Sequence, residues 1–395
     1  MERALKLKEP YEGLEIFRGE KVIFARLLKP HLVISTCRQN GGLRQDLAFV
    51  ANHQACEPRP CPGKEHRDCL AVKNPALYHR LVCEYHGLPP EKTALLGTAA
   101  NMTLAGFSKK EFPLPGQEIL LIFGIATAGV ETNAGRAGDP ASVLEWEGRF
   151  HPLEEGPFSG TINIMLFVNQ ELAPAALVRA VKMATEAKTA LLQELNIASR
   201  YSSGLATGTG TDQIAIASLK TNHTPLRGAG KHVKLGELLA RVVKESVREA
   251  LARQNKITPE TVRYVPRLLE RFGLGEEKLF TRLRPYLEEP LFTWLFQNRR
   301  AVLSDTALVA SVLAYIHLLD QHFWEILPAD HLLESLLLQA ALISSSLSGK
   351  VSAIPSYREK LSRLQDPLEL LLAALALGFR EKWSVPYYQF EPPKP

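Results

Sequence analysis

The stretch QEILLIFGIATAGVETNAGRAGDP, residues 117–140, decides how the first part of this chain folds. It opens with an apolar run, residues 119–123, which is typical of a buried β-strand. The sixteen residues 125–140 then contain three glycines, three threonine or asparagine residues, and one each of glutamate, arginine and aspartate. A plain connection between elements needs only a few turn residues. The sequence therefore predicts a strand that ends in a loop with a binding or catalytic role.

Three side chains of this loop are candidates for that role. Glu131 is a candidate general base, and Asn133 and Arg136 offer hydrogen-bond donors to a substrate. The three glycines allow the backbone a close approach to a ligand. The alternative is a glycine-rich turn in which Arg136 and Asp139 form a local ion pair.

A second loop of similar composition is GLATGTGTDQIAIAS, residues 204–218. It lacks the Gly-Lys-Ser/Thr of a phosphate-binding loop, and a strand rather than a helix follows, so it is not a dinucleotide fingerprint either. Thr211 is a candidate nucleophile if a base lies beside it, and Asp212 is a candidate to orient water. The alternative is a hairpin turn whose hydroxyls bond their own backbone. The predicted substrate-binding residues here are Gly208, Thr209 and Gly210.

Several further polar residues are weaker candidates. His232 lies near a predicted helix N-terminus, where the helix dipole favours neutral imidazole that can accept a proton; a packing or surface role is the alternative. Asn40, in STCRQNGG, and Asn101 are predicted to bind substrate. Glu186 is a secondary candidate that either reaches the site or pairs with a neighbouring cation.

The cysteines are confined to the first quarter of the chain. Cys56, Cys61, Cys69 and Cys83 have the spacing C-x4-C-x7-C-x13-C. This spacing differs from that of a zinc ribbon, and it is compatible with zinc, with an iron–sulfur cluster or with free thiols. We therefore treat a metal at these four residues as a hypothesis.

Composition excludes several classes of protein. The chain has 395 residues, 46% of them hydrophobic and 23% charged, which is the ordinary mixture of a folded globular protein. A net charge of +5 is too small to indicate a nucleic-acid-binding protein. The N-terminus does not resemble a signal peptide, and apolar runs are too short or too charged to span a membrane. We therefore expect a cytoplasmic protein that binds neither nucleic acid nor membrane.

The pattern of apolar residues predicts an α+β or α/β fold, with helices packed on one mixed β-sheet, followed by an all-α region. Residues 1–254 are the predicted catalytic domain and residues 255–395 a helical domain of unknown role, with possible homo-oligomer formation through it. Residues 21–37 predict two strands of a hairpin. The runs 92–107 and 117–131 predict adjacent strands of one sheet. The other predicted elements are strands at 47–51 and 160–169 and helices at 75–86, 174–197 and 231–254.

Seven segments occur in the order found in adenosylcobinamide amidohydrolases, which are corrinoid-salvage enzymes. They are STCRQNGG, NHQ, TAGVETNAGRAGDP, GTINIMLFVN, ALVRAVKMATEAKTALLQELNI, GTGTDQIAIAS and GKHVKLGELLARVV. The chain resembles this family over residues 20–254. The resemblance implies hydrolysis of the amide that joins aminopropanol to the corrin ring, giving adenosylcobyric acid in vitamin B12 salvage. It implies a corrinoid as substrate and no cofactor for the chemistry.

This reaction needs an activated nucleophile, a stabilised oxyanion and a protonated amine. Our hypothesis is water attack assisted by Glu131 or Asp212, with His232 protonating the leaving amine. Asn133, Arg136 and loop N–H groups would then hold the oxyanion. The second hypothesis is Thr211 as a covalent nucleophile. A protein that binds or handles corrinoids without turnover is the alternative function.

Overall fold

Two β-sheets lie at the centre of the first of two compact units into which the chain divides, Met1–Thr258 and Pro259–Pro395. The computed structural model describes residues 4–55, 70–153 and 160–382. Its strands, in chain order, are β1 (Leu5–Tyr11), β2 (Leu14–Gly19), β3 (Val22–Leu27), β4 (His31–Ser35), β5 (Gly42–Arg44), β6 (Phe49–Gln54), β7 (Thr93–Thr98), β8 (Gly106–Pro113), β9 (Ile119–Ala128), β10 (Ala134–Gly135), β11 (Val143–Trp146), β12 (Arg149–Pro152), β13 (Ile162–Val168), β14 (Gly208–Thr209) and β15 (Gln213–Leu219).

The α-helices fall into two groups. Four belong to the first unit: α1 (Leu70–Lys73), α2 (Pro75–Tyr85), α3 (Pro174–Glu194) and α4 (Lys234–Asn255). The others belong to the second unit: α5 (Pro259–Val262), α6 (Val265–Leu269), α7 (Glu276–Leu283), α8 (Glu289–Gln297), α9 (Arg299–Leu303), α10 (Thr306–Phe323), α11 (Ala329–Ser348), α12 (Ile354–Leu361) and α13 (Pro367–Lys382). None of the helices within the described ranges is long and apolar enough to cross a bilayer.

Both large sheets are mixed. Sheet one has the order β1-β2-β3-β6-β7, and only β6 and β7 are parallel. Sheet two has the order β5-β4-β15-β13-β9-β8, and only β13 and β15 are parallel. Parallel neighbours need a long crossover connection, and α3 lies within the segment that joins β13 to β15.

The two sheets stack face to face between outer helices. Alternate residues of β3 show this arrangement: Ile23 and Ala25 join the core between the sheets, whereas Val22 and Phe24 pack with residues of α2. Successive side chains of a strand point to opposite faces, so sheet one is covered on both sides. Helices α3 and α4 pack on each other and on sheet two. The order of layers is therefore helix, sheet, sheet, helices.

Helix α4 approaches sheet two very closely at β8. A Cβ added to Gly106 would lie 2.0 Å from the Ser246 carbonyl oxygen. Only glycine fits there without moving the helix backbone. The contact fixes α4 along the sheet and thereby places its two ends.

A hydrogen-bonded polar layer lies between the sheets where β9 ends and β13 begins. The Asn52 amide donates to the Thr127 hydroxyl (2.8 Å), and the Asn163 amide donates to Asn52 Oδ1 (2.8 Å) and to the Gly97 carbonyl (3.0 Å). Asn52, Thr127 and Asn163 are all at least 99% buried. These bonds join sheet one to sheet two at the edge where the glycine-rich loops emerge.

The second unit is helical throughout its described residues. Helices α10, α11 and α13 pack together, and the Ser344 hydroxyl of α11 donates to the Ala374 carbonyl of α13 at 2.9 Å. Arg271 and Asp320 form a bidentate, mostly buried ion pair with both nitrogen–oxygen distances at 2.6 Å. Buried charges in proteins are normally paired in this way.

The fold class predicted from the sequence is confirmed, including the all-helical C-terminal region. Two details were wrong. The strands predicted as a hairpin over 21–37 exist as β3 and β4, but they belong to different sheets. The run 92–107 supplies β7 to sheet one, and the strand next to β9 is β8. The core accordingly has two mixed sheets where we expected one.

Candidate functional site

The two glycine-rich loops of the sequence meet at one edge of sheet two. Strand β10 of the first loop pairs with β14 of the second, with Ala134 opposite Thr209 and Gly135 opposite Gly208. The Ala137 N–H also donates to the Thr207 hydroxyl at 2.8 Å. Candidates that are more than 70 residues apart in the sequence therefore form one site.

Asp212 is the most highly connected side chain of this site. Its Oδ1 accepts hydrogen bonds from the Ile162 N–H (2.9 Å) and from the Thr209 hydroxyl (2.5 Å). Its Oδ2 accepts from the Thr209 N–H (3.1 Å) and from the Lys188 ammonium. The carboxylate therefore joins the start of β13, the second loop and helix α3.

Lys188 reaches Asp212 from the buried face of α3. Its side chain is 8% exposed and that of Asp212 is 12% exposed. Gly208 lies directly over the pair, because a Cβ there would be 2.4 Å from Asp212 Oδ2 and 2.6 Å from Lys188 Nζ. The loop backbone can pass this close to the ion pair only at glycine.

Thr211 lies on the exposed side of the same turn. Its hydroxyl donates to the Gly160 carbonyl (2.9 Å) and lies 2.6 Å from the Thr161 hydroxyl. Among the described residues, no carboxylate, imidazole or amine lies within hydrogen-bond distance of the Thr211 hydroxyl. The structure thus places Thr211 in the site but places the carboxylate of Asp212 against Thr209.

Asn133 lies beneath the second loop and is 3% exposed. Its amide nitrogen donates to the Gly160 carbonyl (3.0 Å), and its oxygen accepts from the Tyr201 hydroxyl (2.9 Å). Burial, followed by the charge of Asp139, raises the pKa of Tyr201, which keeps its hydroxyl protonated. Gly210 is exposed and adjacent to the Asn133 amide. A ligand on this turn would therefore meet a rigid hydrogen-bonded floor.

Arg136 and Asp139 shape the first loop through the backbone. The carboxylate accepts from the Arg136 N–H (2.7 Å) and from the Ser199 hydroxyl (2.6 Å), whereas the guanidinium donates to the Leu205 carbonyl (3.3 Å). Burial raises the pKa of Asp139, but hydrogen bonds, that from Ser199 first, outweigh it and lower the pKa overall. Arg136 is half-buried and keeps further N–H donors for a ligand.

Glu131 lies beside the last turn of α4, and His232 lies just before its first turn. Glu131 is exposed, forms no hydrogen bond or ion pair with any other described residue, and follows Val130, whose N–H donates to Asn255 at the end of α4 (3.3 Å). His232 is exposed and precedes the first residue of that 22-residue helix. Such a helix is about 33 Å long. The length of α4 therefore separates His232 from Glu131.

The two other predicted substrate-binding asparagines are engaged in local contacts. The Asn40 amide donates to the carbonyls of Pro90 (2.7 Å) and Thr93 (2.9 Å). The Asn101 side chain caps a short 3₁₀ turn, and its N–H donates to Gln254 near the end of α4 (3.1 Å). Asn101 thus lies at the same end of α4 as Glu131, and Asn40 holds a loop in place.

Glu186 lies on α3 and forms ion pairs rather than a site contact. Its carboxylate contacts Lys231 (2.5 Å) and Lys182 (3.6 Å). The hydrogen bond from Lys231 is the main reason that the pKa of Glu186 is lowered. Pairing with a neighbouring cation was the alternative to a site contact, and Lys182 is such a neighbour.

Three of the four cysteines in the metal hypothesis, Cys56, Cys61 and Cys69, lie outside the described residues. The fourth, Cys83, is buried on α2, and burial raises its pKa to about 11. Within the described ranges, no group of three or more His, Cys, Asp or Glu side chains is arranged to hold a metal ion.

Two important residues were missed in the sequence. Lys188 had a signal, because it follows Ala184 by four residues and precedes Leu191 by three, which places a charged residue on the apolar stripe of α3. A buried lysine normally needs a partner. Thr161 had no comparable signal, because its role depends on how β13 meets the second loop.

A protein-family model matches the part of the chain that contains both glycine-rich loops. Residues 7–259 match the family model of adenosylcobinamide amidohydrolase, CbiZ. The chain is 36% identical to an uncharacterized protein of Methanocaldococcus jannaschii over 220 residues, which cover 54% of this chain and 80% of that protein.

Two solved structures show weaker likeness. A Pyrococcus horikoshii OT3 protein has a TM-score of 0.32 and 11% identity, over 68% of this chain and 91% of its own. A β-aminopeptidase of a Burkholderia species has a TM-score of 0.31 and 12% identity, over 63% and 82% of the two chains. The family match spans both glycine-rich loops, α3 and α4. The chain therefore belongs to the adenosylcobinamide amidohydrolase family.

Proposed function

We propose that this protein hydrolyses the amide bond between aminopropanol and the corrin ring of adenosylcobinamide, giving adenosylcobyric acid in corrinoid salvage. The observation that supports the proposal is the pairing of the two loops at β10 and β14, since Glu131, Asn133 and Asp212 belong to these loops. Membership of an amidohydrolase family supports the reaction type.

The site is suited to a substrate with many amide groups. A corrinoid carries amides around its rim, and the two loops offer hydroxyl, amide and guanidinium groups beside glycines. Gly210 is exposed above Asn133, so a substrate carbonyl can approach the loop backbone without meeting a side chain. Backbone N–H groups and Arg136 are the proposed donors to the developing oxyanion. Loss of one such donor typically costs about 10²–10³ in rate.

Glu131 is the proposed base that activates water. Asp212 accepts four hydrogen bonds, one of them from the Thr209 hydroxyl, so its oxygens face protein donors rather than a water. Glu131, in contrast, is exposed and has no partner among the described residues. We therefore assign the proton from water to Glu131 and leave His232 outside the mechanism, because it lies at the far end of α4.

The test is incubation of the purified full chain with adenosylcobinamide, with products followed by mass spectrometry. Adenosylcobyric acid and aminopropanol are expected in equal amounts. Glu131→Gln should lose turnover and keep substrate binding by equilibrium dialysis. A parallel incubation with chelator tests the metal hypothesis for the cysteines. Tight binding without product in the wild-type protein would instead favour a corrinoid-handling protein.

A further inference from the structure

We infer that Thr209 is the nucleophile of this site, with Asp212 as its base and Lys188 as the residue that positions Asp212. The inference rests on the proposed amide hydrolysis and adds a covalent step to it. Of the threonines on the second loop, Thr209 is the one whose hydroxyl donates directly to a carboxylate, at 2.5 Å from Asp212 Oδ1. A hydroxyl needs such an adjacent base to become a nucleophile.

Lys188 distinguishes this arrangement from an ordinary turn. A Thr-x-x-Asp turn is complete when the aspartate accepts from the threonine N–H and hydroxyl, and both bonds are present here. The turn alone has no need of a lysine from another element. Moving an ammonium out of water is strongly unfavourable unless a partner compensates for the lost hydration. The Lys188 residue as a whole is nevertheless only 6% exposed, and its ammonium donates to Asp212 from α3.

These contacts complete a chain of three groups. Thr209 is half-buried at the surface of the loop, Asp212 lies behind it, and Lys188 lies behind Asp212. The backbone N–H of Ile162 holds the same carboxylate oxygen that faces Thr209, at 2.9 Å. Nucleophile, base and orienting group are therefore fixed before substrate arrives, which is the arrangement that covalent acyl transfer requires.

The first step forms an ester. Thr209 Oγ1 bonds to the amide carbon while its proton passes to Asp212 Oδ1, and the carbonyl electrons move to oxygen. When the carbonyl re-forms, the carbon–nitrogen bond breaks and the proton on Asp212 passes to nitrogen, so aminopropanol leaves as the neutral amine. The pairing with Lys188 makes Asp212 a weak base, so proton transfer and bond formation must occur together, which direct contact permits.

The second step releases the acid. Water bonds to the ester carbon and gives one proton to Glu131, and that proton returns to Thr209 Oγ1 as the ester bond breaks. Glu131 lies three residues before Ala134, which is opposite Thr209 across the β10–β14 pair. The sum of both steps is amide plus water giving acid plus amine, with the protein unchanged.

The test compares two neighbouring hydroxyls in the full chain. Thr209→Ala should lose on the order of 10⁴–10⁶ in turnover, as removal of one member of a nucleophile–base set does in other hydrolases, with adenosylcobinamide binding retained. Thr209→Ser keeps a hydroxyl and should recover measurable turnover. Thr211→Ala removes a hydroxyl of the same turn that touches no base, and it should be at least tenfold more active than Thr209→Ala.

A trapping experiment gives a second readout. Hydroxylamine intercepts an ester, so wild-type protein should form the corrinoid hydroxamate in addition to the acid. Turnover of Thr209→Ala within tenfold of wild type, or equal losses in Thr209→Ala and Thr211→Ala without hydroxamate, would overturn the inference while leaving the hydrolysis intact. Absence of product from wild-type protein would overturn both the hydrolysis and the nucleophile.

Discussion

Lys188 and Asp212 form a buried ion pair although 24 residues and the end of α3 separate them in the chain. Helix α3 carries one partner and the turn after β14 carries the other. The pair therefore couples the placement of the second loop to the packing of the helix against sheet two.

The first prediction is that removing either charge of the Lys188–Asp212 pair destabilises the protein. Lys188→Met or Asp212→Asn alone should lower the free energy of unfolding by about 3–5 kcal/mol, because the remaining buried charge is left unpaired. When Lys188→Met and Asp212→Asn are combined, the free energy of unfolding should fall by less than the sum of the two single losses. Urea denaturation of all three variants measures the coupling.

The control is an exposed ion pair. Lys234→Met breaks a contact to Glu237 in which both side chains are 40% exposed, and it should cost less than about 1 kcal/mol. Additive losses in the Lys188 and Asp212 variants would show that the two side chains do not interact in solution.

A second prediction concerns the glycine over the ion pair. Gly208→Ala places a Cβ 2.4 Å from Asp212 Oδ2, so the loop must move. We expect the free energy of unfolding to fall by about 1–3 kcal/mol and turnover to fall as well. Gly230→Ala is the matched control, since nothing lies within 4 Å of its added Cβ. Thermal unfolding and turnover of both variants are the measurements, and equal effects would contradict the close approach.

Third, His232→Ala should keep turnover of adenosylcobinamide within about threefold of wild type. The reason is distance, because the 22 residues of α4 separate His232 from the loop that carries Glu131, a span of about 33 Å. Steady-state rates across the pH range test it. A large loss of turnover in this variant would mean that the helix does not place its ends as described.

The fourth prediction is a dependence of stability on pH that originates at His31. Burial lowers the pKa of His31 to about 4, because its charged form cannot be solvated between Lys29 and Tyr11. The unfolded chain therefore binds more protons than the folded one between pH 6.5 and 4. Stability should fall across this window as pH falls, by about 3 kcal/mol from this group at its limit.

Urea denaturation followed by circular dichroism at several pH values measures this slope. His31→Gln should reduce it, because the variant lacks the imidazole at position 31, whereas His53, whose pKa burial also lowers to about 4, still contributes to the slope. His223→Gln, at an exposed histidine with a side chain 62% exposed, is the control and should leave the slope as in wild type. An unchanged slope in His31→Gln would assign the effect to other groups.

Local patterns in the sequence predicted the elements but not their partners. The apolar spacing of α3 and the strand runs at β9 and β13 gave the correct elements, because burial on one face or both leaves a periodic signature. Residues 21–37 show the limit of this reasoning. Two strands joined by a short turn usually pair, yet β3 pairs with β2 and β6 in sheet one, whereas β4 pairs with β15 and β5 in sheet two.

The sequence predicted which residue types form the site, but only partly how these residues are arranged. Both glycine-rich loops could be recognised because they contain more glycine and hydrogen-bonding residues than a plain turn needs. His232 appeared equally suitable, since a helix N-terminus can be recognised locally, but which end of α4 faces the loops depends on how the helix packs. Lys188 was missed although the sequence carried a signal, a charged residue on the apolar stripe of α3.

The polar layer of Asn52, Thr127 and Asn163 has a consequence for the alignment of the whole site. Two apolar faces attract each other without direction, so they could slide past one another at little cost. Hydrogen bonds between buried amides are satisfied at one offset alone, and any slip would leave them unpaired. The layer therefore fixes the offset between the two sheets, and with it the positions at which their loops meet.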